Sequence, residues 1–186
     1  MPSEWIVEEI EGLYRIIRLK ILRKTEGVDF DIVPILKISK IAAVDRVIHR
    51  SGALSPGSVG DVERPWYMHP HQEDHLLVMH GARLMELYSK THPRVVRFLV
   101  TPDGIQKDGK PVTDGPAMLA WPTHVFHRIE SDRVLGSASL NFAARLPGYD
   151  VTTNFDIFDL NPGTGESKVI RKGAEDQPEE ANREGD

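Results

Sequence analysis

From Asp31 to Ala144 the chain is cut into short apolar runs by turn residues, and this punctuation limits what it can fold into. Ile35 to Ile41 is apolar-rich after Pro34, Val44 to His49 alternates, and Ser51 to Gly60 is a loop. Arg83 to Tyr88 and Val95 to Val100 follow, the latter closed by Thr101-Pro102-Asp103-Gly104. Asp108-Gly109 is a hairpin signal. Met118 to Trp121 and Val125 to Ile129 flank Pro122, which cannot donate to a β-ladder, and Val134 to Ala144 reads as the last long strand. Such a series predicts an all-β barrel or sandwich. Residues 3–24 keep both a helical spacing and a strand-like richness in isoleucine. Gly12 favours two strands with a turn at Glu11-Gly12.

Length and charge narrow the functions. The chain has 186 residues, the size of one domain, and a net charge of −5. All of that charge lies between Gly173 and Asp186, where six acids face one base, which predicts a disordered acidic tail. The remaining body is neutral, so it lacks the basic footprint of a nucleic-acid binder. No cysteine is present, which excludes disulfides and thiolate chemistry and fits a cytoplasmic setting. No apolar run approaches the roughly 18 residues of a membrane span. Many Ile and Leu side chains fall in the first 40 residues, and they are expected to pair with a second copy as a homodimer.

The chemistry-bearing stretch is Trp66 to Gly81, with His69, His71, His75 and His80. Side chains two apart on a strand share a face, so His69 and His71 can aim at one point. A straight strand would carry His75 about 13 Å past His71. A polar turn at Gln72-Glu73-Asp74 is therefore expected to fold it back. Pro122-Thr-His124-Val-Phe-His127 is the second cluster. Converging imidazoles need partners, and a metal ion supplies them.

The order His69-x-His71-x3-His75-x5-Gly81, then Gly115-x6-Pro122-x-His124-x2-His127, resembles the two motifs of the cupin superfamily. The resemblance spans Val44 to Ala144. It implies a double-stranded β-helix, the cupin or jelly-roll barrel, at residues 41–148. An N-terminal β-rich extension (1–40) and a C-terminal segment (149–172) would pack on it, followed by the tail (173–186). It implies His69, His71 and His127 as metal ligands. His75 stands where the family usually has Glu, giving an all-histidine set, while Glu73 is the alternative ligand or base. His124 replaces a motif glycine and reads as a turn residue.

The expected cofactor is one divalent transition metal: Fe, Mn, Ni, Cu or Zn. Tyr67 shares the parity of His69 and can face a small-molecule ligand. On the last strand Ser137, Ser139 and Asn141 form one face, and Ala138, Leu140 and Phe142 the other. Either can line the pocket, and Tyr67 and Phe142 are the pocket candidates. The favoured reading is a metal-dependent, dioxygenase-like oxidoreductase. The alternatives are a non-redox isomerase or lyase and a non-catalytic ligand-binding cupin.

Overall fold

The structure is a computed structural model, and it describes residues 4–177. In chain order its strands begin with β1 (Ile6–Ile10), β2 (Tyr14–Arg18), β3 (Lys20–Thr25), β4 (Val28–Ile32), β5 (Ala43–His49) and β6 (Leu54–Ser55). Then come β7 (Trp66–Met68), β8 (Gln72–Gly81), β9 (Arg83–Ser89), β10 (His92–Thr101), β11 (Gly104–Lys107) and β12 (Lys110–Pro111). The series closes with β13 (Ala117–Trp121), β14 (Phe126–Ser131), β15 (Ser137–Arg145), one helical turn α1 (Val151–Asn154), β16 (Ile157–Leu160) and β17 (Ser167–Arg171).

One sheet has the order β1-β2-β13-β8-β15-β5, and a second β12-β11-β10-β9-β14-β7-β16-β17 with β6 on β14. Every pairing is antiparallel, as expected of a chain of turns and short runs. The core lies between the sheets, where Leu76, Val78, Leu119 and Trp121 meet Met85, Leu87, Phe98 and Val100. Each such side chain, fully buried, contributes roughly 1.5–3 kcal/mol. The first sheet is also covered outside. Ile17, Leu77, Met118, Ala120 and Phe142 pack there under Trp5, Ile38 and Ile41. Strands buried on both faces need no alternation, which is why Ala-Met-Leu-Ala-Trp of β13 is apolar throughout.

The ends follow the same logic. Glu11-Gly12 turns β1 into β2, with Gly12 at φ +75°, and β2 pairs with β13 to lengthen the first sheet. Asp108 and Gly109 both take positive φ, 48° and 79°, in the two-residue turn between β11 and β12. The β3–β4 hairpin stands apart and exposes Ile21, Leu22, Val28, Phe30 and Ile32.

Two runs differ from the sequence reading. Ile35–Lys37 is a 3-10 turn with Leu36 fully out in solvent, and Val134 and Leu135 are exposed in the turn before β15. Apolar content alone did not separate loop from strand there. The segment after the barrel returns to it, since β16 pairs with β7, and Ile157 and Leu160 are buried. Gly173–Asp176 forms a 3-10 turn; the expected tail beyond 177 lies outside the described residues. Among the described residues no helix is long and apolar enough to cross a membrane.

Candidate functional site

The site is created by a change of sheet. β7 ends at Met68 in the second sheet, His69 follows, and Pro70-His71 bends the chain into β8 of the first. The bend also changes phase. Along β8, Leu76 and Val78 join the inner core and Leu77 the outer one. Gln72 and Asp74 therefore face inward with His69, and Glu73 and His75 face outward.

His69, Asp74 and His127 converge inside the barrel, all buried, with ligand-type atoms within 4.8 Å of one another. The Nε2 atom of His69 lies 3.3 Å from Asp74 Oδ2, and its Nδ1–H donates to the carbonyl of Asn154 at 2.5 Å. Asp74 Oδ1 accepts from Gln72 Nε2 (2.8 Å) and Asn141 Nδ2 (2.7 Å). The carboxylate is thus fixed on one oxygen and turned to His69 with the other. His127 Nδ1–H donates to Val125 O at 3.2 Å, which leaves Nε2 as the acceptor nitrogen. Burial, with charge on His69 adding to it, pushes His127 down to about 3, so its ring is neutral.

These residues line a cavity of about 200 Å³ together with Tyr67, His49, Arg83, Trp121, Asn141 and Phe155. The Tyr67 ring centroid is 6.4 Å from that of His69 and 6.0 Å from that of His127. Burial pushes its phenol up, so the hydroxyl keeps its proton. Phe155 meets His69 edge-on at 5.3 Å.

Of the residues singled out from the sequence, the fold brings together His69, His127 and Tyr67. His71 packs beneath Gly148, and its carbonyl accepts from Leu146 N–H at 2.8 Å. His75 Nδ1–H donates to Phe142 O at 3.0 Å on the outward side of β8, and burial pushes its pKa down. Glu73 accepts from Ser39 Oγ at 2.5 Å, and Phe142 belongs to the outer cluster. His124 is an exposed turn residue at φ +63°.

The sequence reading missed Asp74, Gln72, Asn154 and Arg83 as site residues, and left open whether the face of Asn141 or that of Phe142 lines the pocket. Counting back in twos from Leu76 and Val78 would have reached Asp74 and Gln72. Nothing local marks Asn154, which acts through its backbone oxygen.

No protein-family model and no curated protein matches the sequence. Solved structures do match in shape. A dTDP sugar isomerase from Desulfovibrio desulfuricans G20 covers 93% of this chain and 91% of its own, with TM-score 0.52 and 14% identity. The dTDP-4-dehydrorhamnose 3,5-epimerase of Sulfolobus tokodaii covers 81% and 78%, with TM-score 0.51 and 16% identity. The TDP-quinovose 3,4-ketoisomerase of Campylobacter jejuni covers 76% and 89%, with TM-score 0.50 and 14% identity. The fold shared with these structures is an all-β, antiparallel jelly roll.

Two expectations are corrected by these findings. The dioxygenase-like oxidoreductase reading conflicts with the neighbours, which are named for isomerising and epimerising sugars, reactions with no net oxidation. The transition-metal cofactor falls with it. Such reactions ask for a base and an acid, and the four imidazoles expected to hold the ion do not converge. His71 and His75 lie outside, across the phase change at Pro70-His71. What converges is a histidine with a carboxylate oxygen 3.3 Å from its Nε2, and a second, neutral histidine beside it.

Proposed function

We propose that the protein is a redox-neutral isomerase or epimerase that moves a proton at a carbon next to the carbonyl of a sugar. One observation carries this reading: the buried His69 ring, anchored at Nδ1 by Asn154 O and faced at Nε2 by Asp74. In it, His69 Nε2 takes the proton, and the imidazolium so formed is held between the Asp74 carboxylate and the Asn154 carbonyl. His127 Nε2 accepts a hydrogen bond from a substrate hydroxyl. The Tyr67 phenol donates to the developing enolate and gives its proton to the carbon; solvent then takes the proton from His69 and restores the one on Tyr67.

The names of the structural neighbours support a nucleotide-linked sugar as the class to try first. The cavity, about 200 Å³, is smaller than the roughly 300–1,000 Å³ of drug-sized sites, so it suits one ring and leaves a nucleotide outside. The test is incubation with dTDP-4-dehydrorhamnose in D2O, followed by NMR. Deuterium entering at carbons next to the carbonyl, and lost in His69→Asn, is the expected result. No exchange and no binding of that sugar nucleotide would sink the reading.

The reading includes a homodimer joined through the β3–β4 hairpin. Its support is the row of exposed Ile21, Leu22, Val28 and Phe30. Light scattering that gives a monomer mass would refute the dimer.

A further inference from the structure

Arg83 is the part of the cavity that proton transfer does not use. Its side chain is 1% exposed. Nε donates to Ser137 Oγ at 3.1 Å and Nη2 to Val47 O at 3.2 Å, both neutral acceptors. Among the described residues no carboxylate lies within ion-pair reach of it. Burial pushes the guanidinium down only to about 10, so it stays charged at neutral pH. A buried cation with neutral partners alone is a costly arrangement.

Unpartnered polar atoms surround it. Trp121 Nε1 and His49 Nδ1 line the same cavity, buried and unpartnered. Ser139 Oγ, on the face of β15 between Ser137 and Asn141, is buried and unpartnered as well, behind the residues that line the cavity. An indole N–H can only donate. Burial, then the charge of Arg83, holds His49 down to about 4, so it adds no second cation. The two carboxylates of the cavity stand elsewhere: Asp45 and Asp74 both accept from Asn141. Arg83 bonds instead to Val47, two residues along β5, a step of about 7 Å. A neutral ligand would leave the guanidinium unpaired, whereas an oxyanion would complete it and meet the donors around it.

We propose that the Arg83 end of the cavity is an oxyanion subsite, and that the sugar turned over here is a sugar acid. Its carboxylate meets Arg83 while the carbon that exchanges its proton lies at His69, on the wall of the same cavity. The proposal rests on the proton-transfer reading of the same cavity. A phosphate monoester presents the same chemistry to a guanidinium fork, so the two sources are separated by experiment.

The test is calorimetric titration of the full chain with D-glucuronate, D-glucose, D-glucose 6-phosphate and inorganic phosphate. Glucuronate is expected to bind at least about ten-fold more tightly than glucose, the scale of a charge-assisted hydrogen bond. Arg83→Gln should erase that ratio, and Arg83→Lys should keep part of it. Preference for glucose 6-phosphate over glucuronate upholds the subsite and assigns it to phosphate. Equal binding of glucuronate and glucose, binding of no probe, or an unchanged ratio in a folded Arg83→Gln protein overturns it. Should Arg83→Gln fail to fold, the Arg83 Nε–H resonance of the native protein is followed by NMR during glucuronate titration, and an unmoved resonance overturns the subsite. Oxyanion binding that persists without deuterium exchange on any sugar would overturn the proton-transfer reading alone.

Discussion

His69 meets an acceptor oxygen at each ring nitrogen, and neither comes from its own strand. That double hold gives Asp74 a role separable from folding. Asp74→Asn keeps the volume of the side chain and removes the charge that steadies the imidazolium. Deuterium exchange is expected to fall by about 10²–10⁴-fold, with the thermal midpoint little changed. Glu73→Gln, one residue away on the outer face, should leave exchange intact. Equal effects of the two would show that the phase of β8 is misassigned. The same pair shows what was legible in single residues. His69, His127 and Tyr67 reach the cavity because each projects inward from the barrel wall. Parity failed for His71 because Pro70-His71 bends the chain, and the turn expected at Gln72-Glu73-Asp74 to bring His75 back is instead the start of β8.

At the level of elements, the alternation of β5 and the turn at Asp108-Gly109 were readable because backbone geometry alone demands them. The two-sided burial of β13 and the inward face of β15 were not. They depend on what another segment lays over the sheet, here Trp5, Ile38 and Ile41. One junction depends on glycine in the same non-local way. Gly81, at φ +67°, passes so close to Gly136 that an added Cβ would stand 1.9 Å from the Gly136 carbonyl oxygen. Both partners are backbone, so neither can swing aside. Gly81→Ala should therefore cost about 3 kcal/mol or more, read as a fall in the urea midpoint. A midpoint within error of the native one would refute the contact.

For the whole molecule, acid sensitivity follows from histidines that are neutral when folded. His49 is held down to about 4 and His127 to about 3, mainly by burial, against an ordinary 6.5. Between those limits the unfolded chain binds the extra protons, so stability falls as pH falls. Their contribution is whole above pH 6.5 and drains away towards pH 4 for His49 and pH 3 for His127. Carboxylates enter later. At Glu86 burial pushes the pKa up, but the Arg128 and Arg97 partners outweigh it and hold it below its ordinary 4.5, so its loss begins only under that pH. Urea midpoints should thus decline from about pH 6.5, with His49→Gln flattening part of the upper limb. Constant stability from pH 7 to 4.5 would contradict this.

The acceptor for His69 Nδ1 comes from Asn154, 85 residues downstream and past the last barrel strand, and β7 takes its outer neighbour from β16. During synthesis on a ribosome the barrel strands emerge before these pieces do. A nascent chain, or one clipped by a protease after residue 148, would hold a barrel whose His69 swings free. A site held in this way is complete only once the chain beyond β15 has folded back onto the barrel.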